Sequence, residues 1–309
     1  MGLVDYPSSS EDDAPQPPSK RRKGQNDASE SKMPPLPTAF HDLYASTVRQ
    51  STVDDPSLHQ GRKRVNPHVA GNWPTHLYVE WHPTKAQHDI LEALVTRAQQ
   101  ELGDDTKLHN FLTSELGTDL PLHISLSRPL SLSTSIKDDY LSRVEHIIRN
   151  CGTGVFSVRP EGLAWYKSPD SNRTFFVLRV VSTRAVKTSS DRSLLKVSTN
   201  PELMTLLTRC NKVATHFGQP PLYQQTQSEA ADEAFHISIG WTMGAPDEET
   251  CLKVLKFFRL GEFKDIRTWN LEVDGVKAKI GNMVSHLPLV GKEKTMTDGA
   301  GSIDSLYSM

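Results

Sequence analysis

Two short stretches of the chain place a histidine and a serine two residues apart in nearly the same sequence. Residues 121–129 read PLHISLSRP and residues 234–241 read AFHISIGW, so His123 and Ser125 correspond to His236 and Ser238. The apolar residues that alternate with them are typical of a strand with one buried face. In such a strand the histidine and the serine share the outward face, about 6.6 Å apart.

Two imidazoles and two hydroxyls suit in-line phosphoryl transfer without a metal. A neutral imidazole can take a proton from the attacking oxygen, and a protonated imidazole can give one to the departing oxygen. Serine hydroxyls can donate hydrogen bonds to the non-bridging oxygens as charge builds there. One such stretch alone would most often be a solvated strand face, because short motifs match by chance. The second copy favours the catalytic interpretation, and the absence of a G-x-S-x-G turn disfavours a serine hydrolase.

The elements around the two motifs alternate between strand and amphipathic helix patterns. Helical spacing covers 84–102, 135–151, 200–218 and 246–261, with Thr84 and Asn200 as N-caps, and strand patterns cover 75–81, 154–166, 173–181, 266–280 and 282–290. Each half of the chain thus offers strands, outer helices and one motif. We predict an α+β fold of two pseudo-twofold-related lobes, each an antiparallel sheet with outer helices, with the active-site cleft between them.

Composition divides the chain into three parts. Nine of the twenty prolines fall within the first 70 residues, and the first tryptophan is Trp73. Such a segment cannot bury enough apolar surface to order itself. We predict a disordered segment over 1–65, a catalytic domain of two lobes over 66–291 and a flexible tail over 292–309, with a polar stretch at 183–199 inside the domain.

Cysteine usage and charge exclude several classes of protein. Cys151, Cys210 and Cys251 stand far apart with no zinc-ligand spacing, which disfavours a disulfide framework and a structural zinc site. The chain has no apolar run of 18 residues and no signal-peptide pattern at its start, so we expect neither a membrane span nor secretion by that route. A net charge of -2 leaves a local basic groove possible. The run SKRRKG at 19–24 fits a nuclear-import signal and a solvated basic cluster equally.

The doubled His-x-Ser-hydrophobic motif resembles the two-histidine (2H) phosphoesterase superfamily, and the chain is most similar to its U6 small nuclear RNA phosphodiesterase branch. Three further stretches carry the narrower resemblance: NPHVAGNWPTHLYVEW at 66–81, LYQQ around Tyr223, and VKAKIGNMVSHLPL at 276–289. The resemblance implies a 3′-to-5′ exoribonuclease that trims the uridine-rich 3′ end of U6 small nuclear RNA. It further implies a nuclear monomer that uses no metal or other cofactor and leaves a 2′,3′-cyclic phosphate or a 3′ phosphate.

The resemblance also assigns roles to individual residues. The catalytic histidines fall on His123 and His236, and the phosphate-binding serines fall on Ser125 and Ser238. The tyrosine on which the family stacks the terminal base falls on Tyr223. This chain departs from the family pattern by an acidic, polar insert at 226–234, which lengthens the loop between Tyr223 and the second motif.

Several neighbouring residues have two interpretations. Lys277 and Lys279 alternate along a strand pattern and fit either contact with RNA phosphates or protection of a sheet edge. His76 and His82 have no carboxylate or cysteine at ligand spacing and are interpreted as ordinary surface histidines.

Two other functions remain open at this point. The first is another 2H activity, such as a cyclic phosphodiesterase acting on tRNA or small nucleotides. A preference for long uridine-ended RNA over a mononucleotide cyclic phosphate would separate it from the exonuclease. The second is a non-catalytic RNA-binding protein on a degenerate 2H fold, against which the intact quartet of two histidines and two serines argues.

Overall fold

A computed structural model describes Pro56 and residues 69–184, 198–223 and 231–291. Apart from Pro56, the predicted N-terminal segment 1–65 lies outside the described residues, as do the tail at 292–309 and most of the polar stretch at 183–199. The basic run at 19–24 also lies outside them. The boundaries proposed for these segments stay predictions.

The described residues form an α+β structure, as predicted. The strands are β1 (Asn72–Trp81), β2 (His109–Asn110), β3 (Leu122–Ser125), β4 (Leu130–Ser133), β5 (Phe156–Lys167), β6 (Arg173–Ser182), β7 (His236–Met243), β8 (Leu271–Val273), β9 (Gly275–Ile280) and β10 (Met283–Pro288). The α-helices are α1 (Lys85–Leu102), α2 (Lys137–Arg149), α3 (Pro201–His216) and α4 (Glu248–Lys256). Short 3₁₀ helices cover Ala231–Glu233, Phe257–Arg259 and Gly261–Thr268. None of the helices within the described residues is long and apolar enough to cross a membrane.

The strands form one sheet in the order β10-β9-β1-β3-β7-β6-β5-β8, with β4 added to β1 and β2 added to β7. Every pairing between these strands is antiparallel. The predicted lobes are therefore the two halves of a continuous sheet, one built on the first motif strand and the other on the second. The halves meet where β3 pairs with β7.

The contact between the halves is short and apolar. Ile124 of β3 pairs directly with Ile237 of β7, and their relative exposures are 2% and 0%. An antiparallel pair has a local twofold axis between its strands. Because that axis passes beside these two isoleucines, it relates the first His-Ile-Ser stretch to the second.

Helices cover the apolar face of the sheet. Helix α1 begins after Thr84, whose side chain accepts a hydrogen bond from the Gln87 N–H while Gln87 caps the Thr84 N–H in return. The buried face of α1 carries Leu91, Leu94, Val95 and Ala98. This capping box satisfies two N–H groups that the first helical turn leaves without partners.

The start of α3 differs from the prediction. The side chain of Asn200 makes no capping bond and instead donates to the carbonyl oxygens of Val180 and Asp232. The carboxylate of Asp232 accepts the N–H groups of Thr199 and Asn200 at 2.6 and 2.8 Å. Asp232 comes from the end of the 226–234 insert, so a residue distant in sequence fixes the segment that leads into this helix.

Candidate active site

The pairing of β3 with β7 places the two motifs side by side. Continuing the Ile124–Ile237 register by one residue sets His123 opposite Ser238 and Ser125 opposite His236. Residues opposite each other in a sheet share a face, so the four side chains form a compact quartet. His123 is exposed and the other three are half-buried, whereas the flanking apolar residues Leu122, Ile124, Ile237 and Ile239 are buried.

His236 is held in one tautomer by its own loop. Its Nδ1 lies 2.7 Å from the carbonyl oxygen of Ala234. A carbonyl oxygen can only accept, so Nδ1 carries the hydrogen, and Nε2 is left to receive a proton. Burial lowers the pKa of His236, and the bond to Ala234 offsets part of that effect. The ring is thus mainly neutral near pH 7, as a general base requires.

His123 lies among opposing charges. Although part of its ring is exposed, the surrounding residues desolvate it, which is the largest cause lowering its pKa, and positive charge on His236 and Lys279 lowers it further. Glu80, which pairs with His123 across β1 and β3, acts in the opposite direction and raises that pKa. Because a proton on His236 disfavours one on His123, the two rings share one positive charge more readily than they carry two.

A third histidine, which the sequence interpretation placed on the surface, belongs to this site. The Nε2 of His76 lies 3.2 Å from the Ser125 Oγ. Its ring centroid lies 5.3 Å from that of His123 and 5.2 Å from that of Tyr78. Burial, assisted by the positive charges of His123 and Lys279, lowers its pKa to about 3. His76 is therefore neutral near pH 7 and can form a hydrogen bond with Ser125 without adding a positive charge beside His123.

The alternation in β1 was the signal that could have found His76. Leu77 and Val79 are buried, which sets His76, Tyr78 and Glu80 on the opposite face. The pattern could not show that β1 pairs with β3, and this pairing brings the face of β1 with His76 next to the quartet. His82, by contrast, is largely exposed and lies 3.2 Å from Glu80.

The two lysines differ in their surroundings. Lys279 pairs with His76 and Lys277 pairs with Tyr78, so both lie on the face of the quartet. The Nζ of Lys277 is 3.6 Å from the Glu80 carboxylate, while Lys279 is exposed and lowers the pKa of the nearby histidines. Of the two, Lys279 has the geometry to meet a phosphate group.

Tyr223 lies next to the second motif despite the insert. Its ring meets that of Phe235 edge to face at 6.1 Å, and its φ of 60° is the one positive value of a non-glycine residue within the described ranges. Burial raises its pKa, and proximity to Tyr166 raises it further. The Tyr166 ring in turn lies 5.3 Å from that of His236. Residues 224–230 of the loop lie outside the described residues.

Asn211 explains how Tyr223 is positioned. Its side-chain amide donates to the carbonyl oxygen of Leu222 at 2.9 Å and accepts from the Leu222 N–H at 2.8 Å. This two-point contact fixes the backbone immediately before Tyr223. Backbone in the left-handed region costs free energy for a bulky residue, and such conformations concentrate at functional sites.

A group of side chains with metal-ligating atoms lies elsewhere. Within the described residues it consists of His88, Asp89 and Glu92, in the first turns of α1. The Nε2 of His88 faces the carbonyl oxygen of Leu112 at 3.3 Å. This helix covers the apolar face of the sheet, opposite to the quartet.

Comparisons with known proteins complete the description. The HVSL family, described as an uncharacterised conserved protein, matches residues 34–288. A Neurospora crassa protein named U6 snRNA phosphodiesterase 1 is 39% identical over 287 residues, which are 85% of this chain and 76% of that relative. The Homo sapiens protein of the same name is 24% identical over 297 residues, covering 93% of this chain and 98% of the relative.

Two solved structures are also similar. Usb1 of Kluyveromyces marxianus matches 70% of this chain and 98% of its own, with 18% identity and a TM-score of 0.49. LigT of E. coli matches 71% of this chain and 96% of its own, with 10% identity and a TM-score of 0.33. The extent of the family match, together with the identity to the fungal relative over most of both chains, shows that this chain belongs to the HVSL family of U6 snRNA phosphodiesterase 1 proteins.

Proposed function

We propose that this protein is a metal-independent RNA phosphodiesterase, a 3′-to-5′ exoribonuclease that trims the uridine-rich 3′ end of U6 small nuclear RNA. The observation that carries the proposal is the antiparallel pairing of β3 with β7, which gathers two histidines and two serines on one face. The substrate in this proposal is inferred from the relatives named U6 snRNA phosphodiesterase 1. RNA processing of this kind fits a nuclear location, and because one chain supplies the whole quartet, a monomer is sufficient.

The proposed reaction uses the tautomer of His236 and the charges around His123. The Nε2 of His236 takes the proton of the 2′-hydroxyl on the penultimate nucleotide, and the freed oxygen attacks the adjacent phosphorus. As the new P–O bond forms, the bond to the 5′-oxygen of the terminal nucleotide breaks, and His123 donates its proton to that oxygen. The products are a shortened RNA with a 2′,3′-cyclic phosphate and a free nucleoside at the first turnover. Water can then open the ring to a 3′ phosphate.

Other residues stabilise the reacting group. Ser125 and Ser238 are placed to donate hydrogen bonds to the non-bridging oxygens, where charge increases in the transition state. His76 holds Ser125 in position. Lys279 supplies positive charge at the same face, and Tyr223 stacks the terminal base.

End-labelled, uridine-tailed RNA incubated with pure protein in EDTA tests substrate, metal requirement and product ends together. We expect stepwise shortening from the 3′ end and cyclic or 3′ phosphate termini. Activity lost in EDTA and restored by Mg²⁺ or Mn²⁺ would contradict the proposal. Faster opening of a mononucleotide cyclic phosphate than trimming of RNA would favour a small-nucleotide phosphodiesterase instead.

A single 2′-deoxy residue at the penultimate position isolates the nucleophile. With no 2′-hydroxyl, that RNA should bind but keep its terminal nucleotide, because the attacking oxygen belongs to the substrate. Trimming at a rate comparable to that of all-ribose RNA would show that water attacks directly.

A further inference from the structure

An aromatic strip, formed by Phe111, Tyr166, Phe175 and Trp241, begins next to His236. Tyr166 lies 5.3 Å from the His236 ring, centroid to centroid, and is 37% exposed. Tyr166 pairs with Phe175 across β5 and β6, and Phe175 pairs with Trp241 across β6 and β7. Directly paired residues share a face, so these three side chains leave the sheet on the same side. The Phe111 ring stacks on that of Phe175 with centroids 6.2 Å apart.

Arg173 adds a cation to this strip. Its guanidinium carbon lies 5.0 Å from the centroid of Phe175 and 5.6 Å from that of Trp241. Trp241 is only 2% exposed and its other neighbour is the stacked ring of His109. Trp241 and Phe175 therefore form a supporting layer, while Phe111, Tyr166 and Arg173 present the outer surface.

The position of the strip relative to Tyr223 indicates which part of a substrate it meets. Tyr223 packs on Phe235, immediately before His236 on the chain. Phe175 pairs with Trp241, five residues after His236. Phe175 and Trp241 thus lie toward the end of β7 opposite to Tyr223, whereas Tyr166 lies between them, near both Tyr223 and His236. An RNA chain that places its terminal base at Tyr223 has its preceding nucleotides on the side of the strip.

Building on the proposed function, we propose that the aromatic strip binds the RNA nucleotides on the 5′ side of the scissile phosphate by base stacking. Proteins that hold single-stranded nucleic acid combine aromatic side chains with positive charge, and unstacked RNA bases pack on aromatic rings and on guanidinium planes. The strip supplies both kinds of surface in direct continuity with His236. Its consequence is that substrate length, and not only the terminal nucleotide, determines how well an RNA is processed.

A length series of uridine oligonucleotides tests the strip. The kcat/KM of the full chain would be measured on oligomers of two to six nucleotides, for the wild type and for Phe111→Leu and Arg173→Met. We expect the wild-type value to rise with length. Each variant should lose on the order of 10-fold on the longer oligomers, because one stacking partner is removed. The loss should be smaller on the dinucleotide, whose single base on the 5′ side lies at the Tyr166 end of the strip, next to His236.

Two further variants separate stacking from folding. Phe111→Trp keeps an aromatic face and should keep the length dependence. Trp73→Leu changes a partly exposed aromatic residue near the start of β1, away from the strip, and should behave as the wild type. The stacking proposal would be overturned by an equal loss of kcat/KM on the dinucleotide and the hexanucleotide. It would also be overturned if both strip variants kept the length dependence of the wild type. A wild-type protein that cleaves none of the oligomers would refute the proposed function. Trimming at a rate independent of length would refute only the role of the strip in binding RNA.

Discussion

The two histidines of the quartet stand in nearly the same local sequence but have different neighbours in the fold. His236 is fixed by the carbonyl oxygen of Ala234, while His123 faces the carboxylate of Glu80 across the β1–β3 pair. A carbonyl fixes a tautomer, and a nearby carboxylate favours the protonated ring. These neighbours support the proposed roles of His236 as the base and His123 as the acid.

Loss of either histidine should remove most of the activity. We expect His123→Ala and His236→Ala to lower kcat by at least about 10²-fold, because a general acid or base typically contributes 10² to 10⁴. Single-turnover kinetics on uridine-tailed RNA would measure this, with circular dichroism to verify folding. His146→Ala, on the exposed face of α2, is a matched control. Near-normal turnover in either quartet variant would rule out the assigned roles.

The pH dependence should lie on the acidic side of ordinary histidine. Both quartet pKa values are lowered, so both limbs of the bell-shaped kcat/KM profile should fall below about 6.5. Glu80→Gln removes a charge that raises the pKa of His123 and should lower that pKa further, whereas Lys279→Met should raise it. NMR titration of the ring protons without substrate would measure both shifts. Shifts of the same sign in the two variants would contradict the electrostatic account.

His76 is expected to act through Ser125. His76→Ala should lower kcat by about 2- to 12-fold, the range of one ordinary hydrogen bond, and His76→Gln should retain part of it through an amide N–H. In a double-mutant cycle, adding His76→Ala to Ser125→Ala should cost little more. The profile between pH 5 and 8 should keep its shape, because the pKa of His76 is about 3. Fully additive losses would show that His76 acts independently of Ser125.

At the scale of elements, the loop before β7 is as important as the strand. Asp232 accepts hydrogen bonds from Ser198, Thr199 and Asn200, and two residues later Ala234 accepts from His236. Burial alone would raise the pKa of Asp232, but these hydrogen bonds outweigh it and lower the pKa. One carboxylate thus anchors both the segment that leads into α3 and the loop that orients the ring of His236.

Asp232→Asn should therefore affect stability and activity together. Because the folded-state pKa lies below the unfolded value of about 3.9, the stabilisation is complete above that value and is lost as pH falls through the folded-state pKa. We expect the Asp232→Asn variant to lose about 1–3 kcal/mol of its free energy of unfolding at neutral pH. In urea unfolding at a series of pH values, its stability should fall less steeply toward acid pH than that of the wild type. Its kcat should also fall. Asp247→Ala, which removes the side-chain N-cap of α4, should reduce stability while leaving kcat unchanged.

Element boundaries show where sequence patterns succeed and fail. The strands predicted at 154–166 and 173–181 and the helices α1 to α3 were confirmed, because apolar residues recur along each of them over many positions. The alternation of apolar residues in the second motif would place Trp241 on the same face as Ile239, opposite to Ser238. A register shift between Phe176 and Val177 instead pairs Trp241 with Phe175. A bulge moves a side chain to the other face without altering the composition that a pattern reads. The hydrogen bonds of Asp232 with Thr199 and Asn200 were missed because they join residues more than 30 positions apart.

At the scale of the whole molecule, the quartet depends on a single junction between the two half-sheets. Repetition of the motif predicted that two lobes exist, but no local pattern states which strands meet, and the β3–β7 pairing arises from the tertiary fold. Its centre is the pair Ile124 and Ile237, both buried. The half-buried ion pair of Arg128 with Asp170 adds a second link, between the segment after β3 and the β5–β6 turn.

Truncation at this junction should weaken the entire fold. Ile124→Ala is expected to cost about 2–5 kcal/mol, from lost burial and the cavity that remains, and to reduce activity even in the folded fraction. Chemical denaturation gives the stability, and turnover at low temperature gives the activity. Ile266→Ala, in the 3₁₀ helix after α4, removes an equally buried isoleucine away from the junction. It should cost similar stability but leave turnover of the folded protein intact. Equal losses of turnover in both variants would contradict a special role for the junction.

The local twofold axis beside Ile124 and Ile237 has a consequence for the direction of the chemistry. In a five-coordinate phosphorus the entering and departing oxygens occupy opposite apical positions, so the reacting group is itself nearly symmetric. An active site with the same symmetry has no intrinsic preference for which side supplies the proton. That preference comes from outside the repeated strands, from Glu80 on one side and Ala234 on the other. In the proposed mechanism, microscopic reversibility means that opening of the cyclic phosphate would need no second set of catalytic groups. Water would enter where the nucleoside departed, His123 would receive its proton, and His236 would return one to the 2′-oxygen.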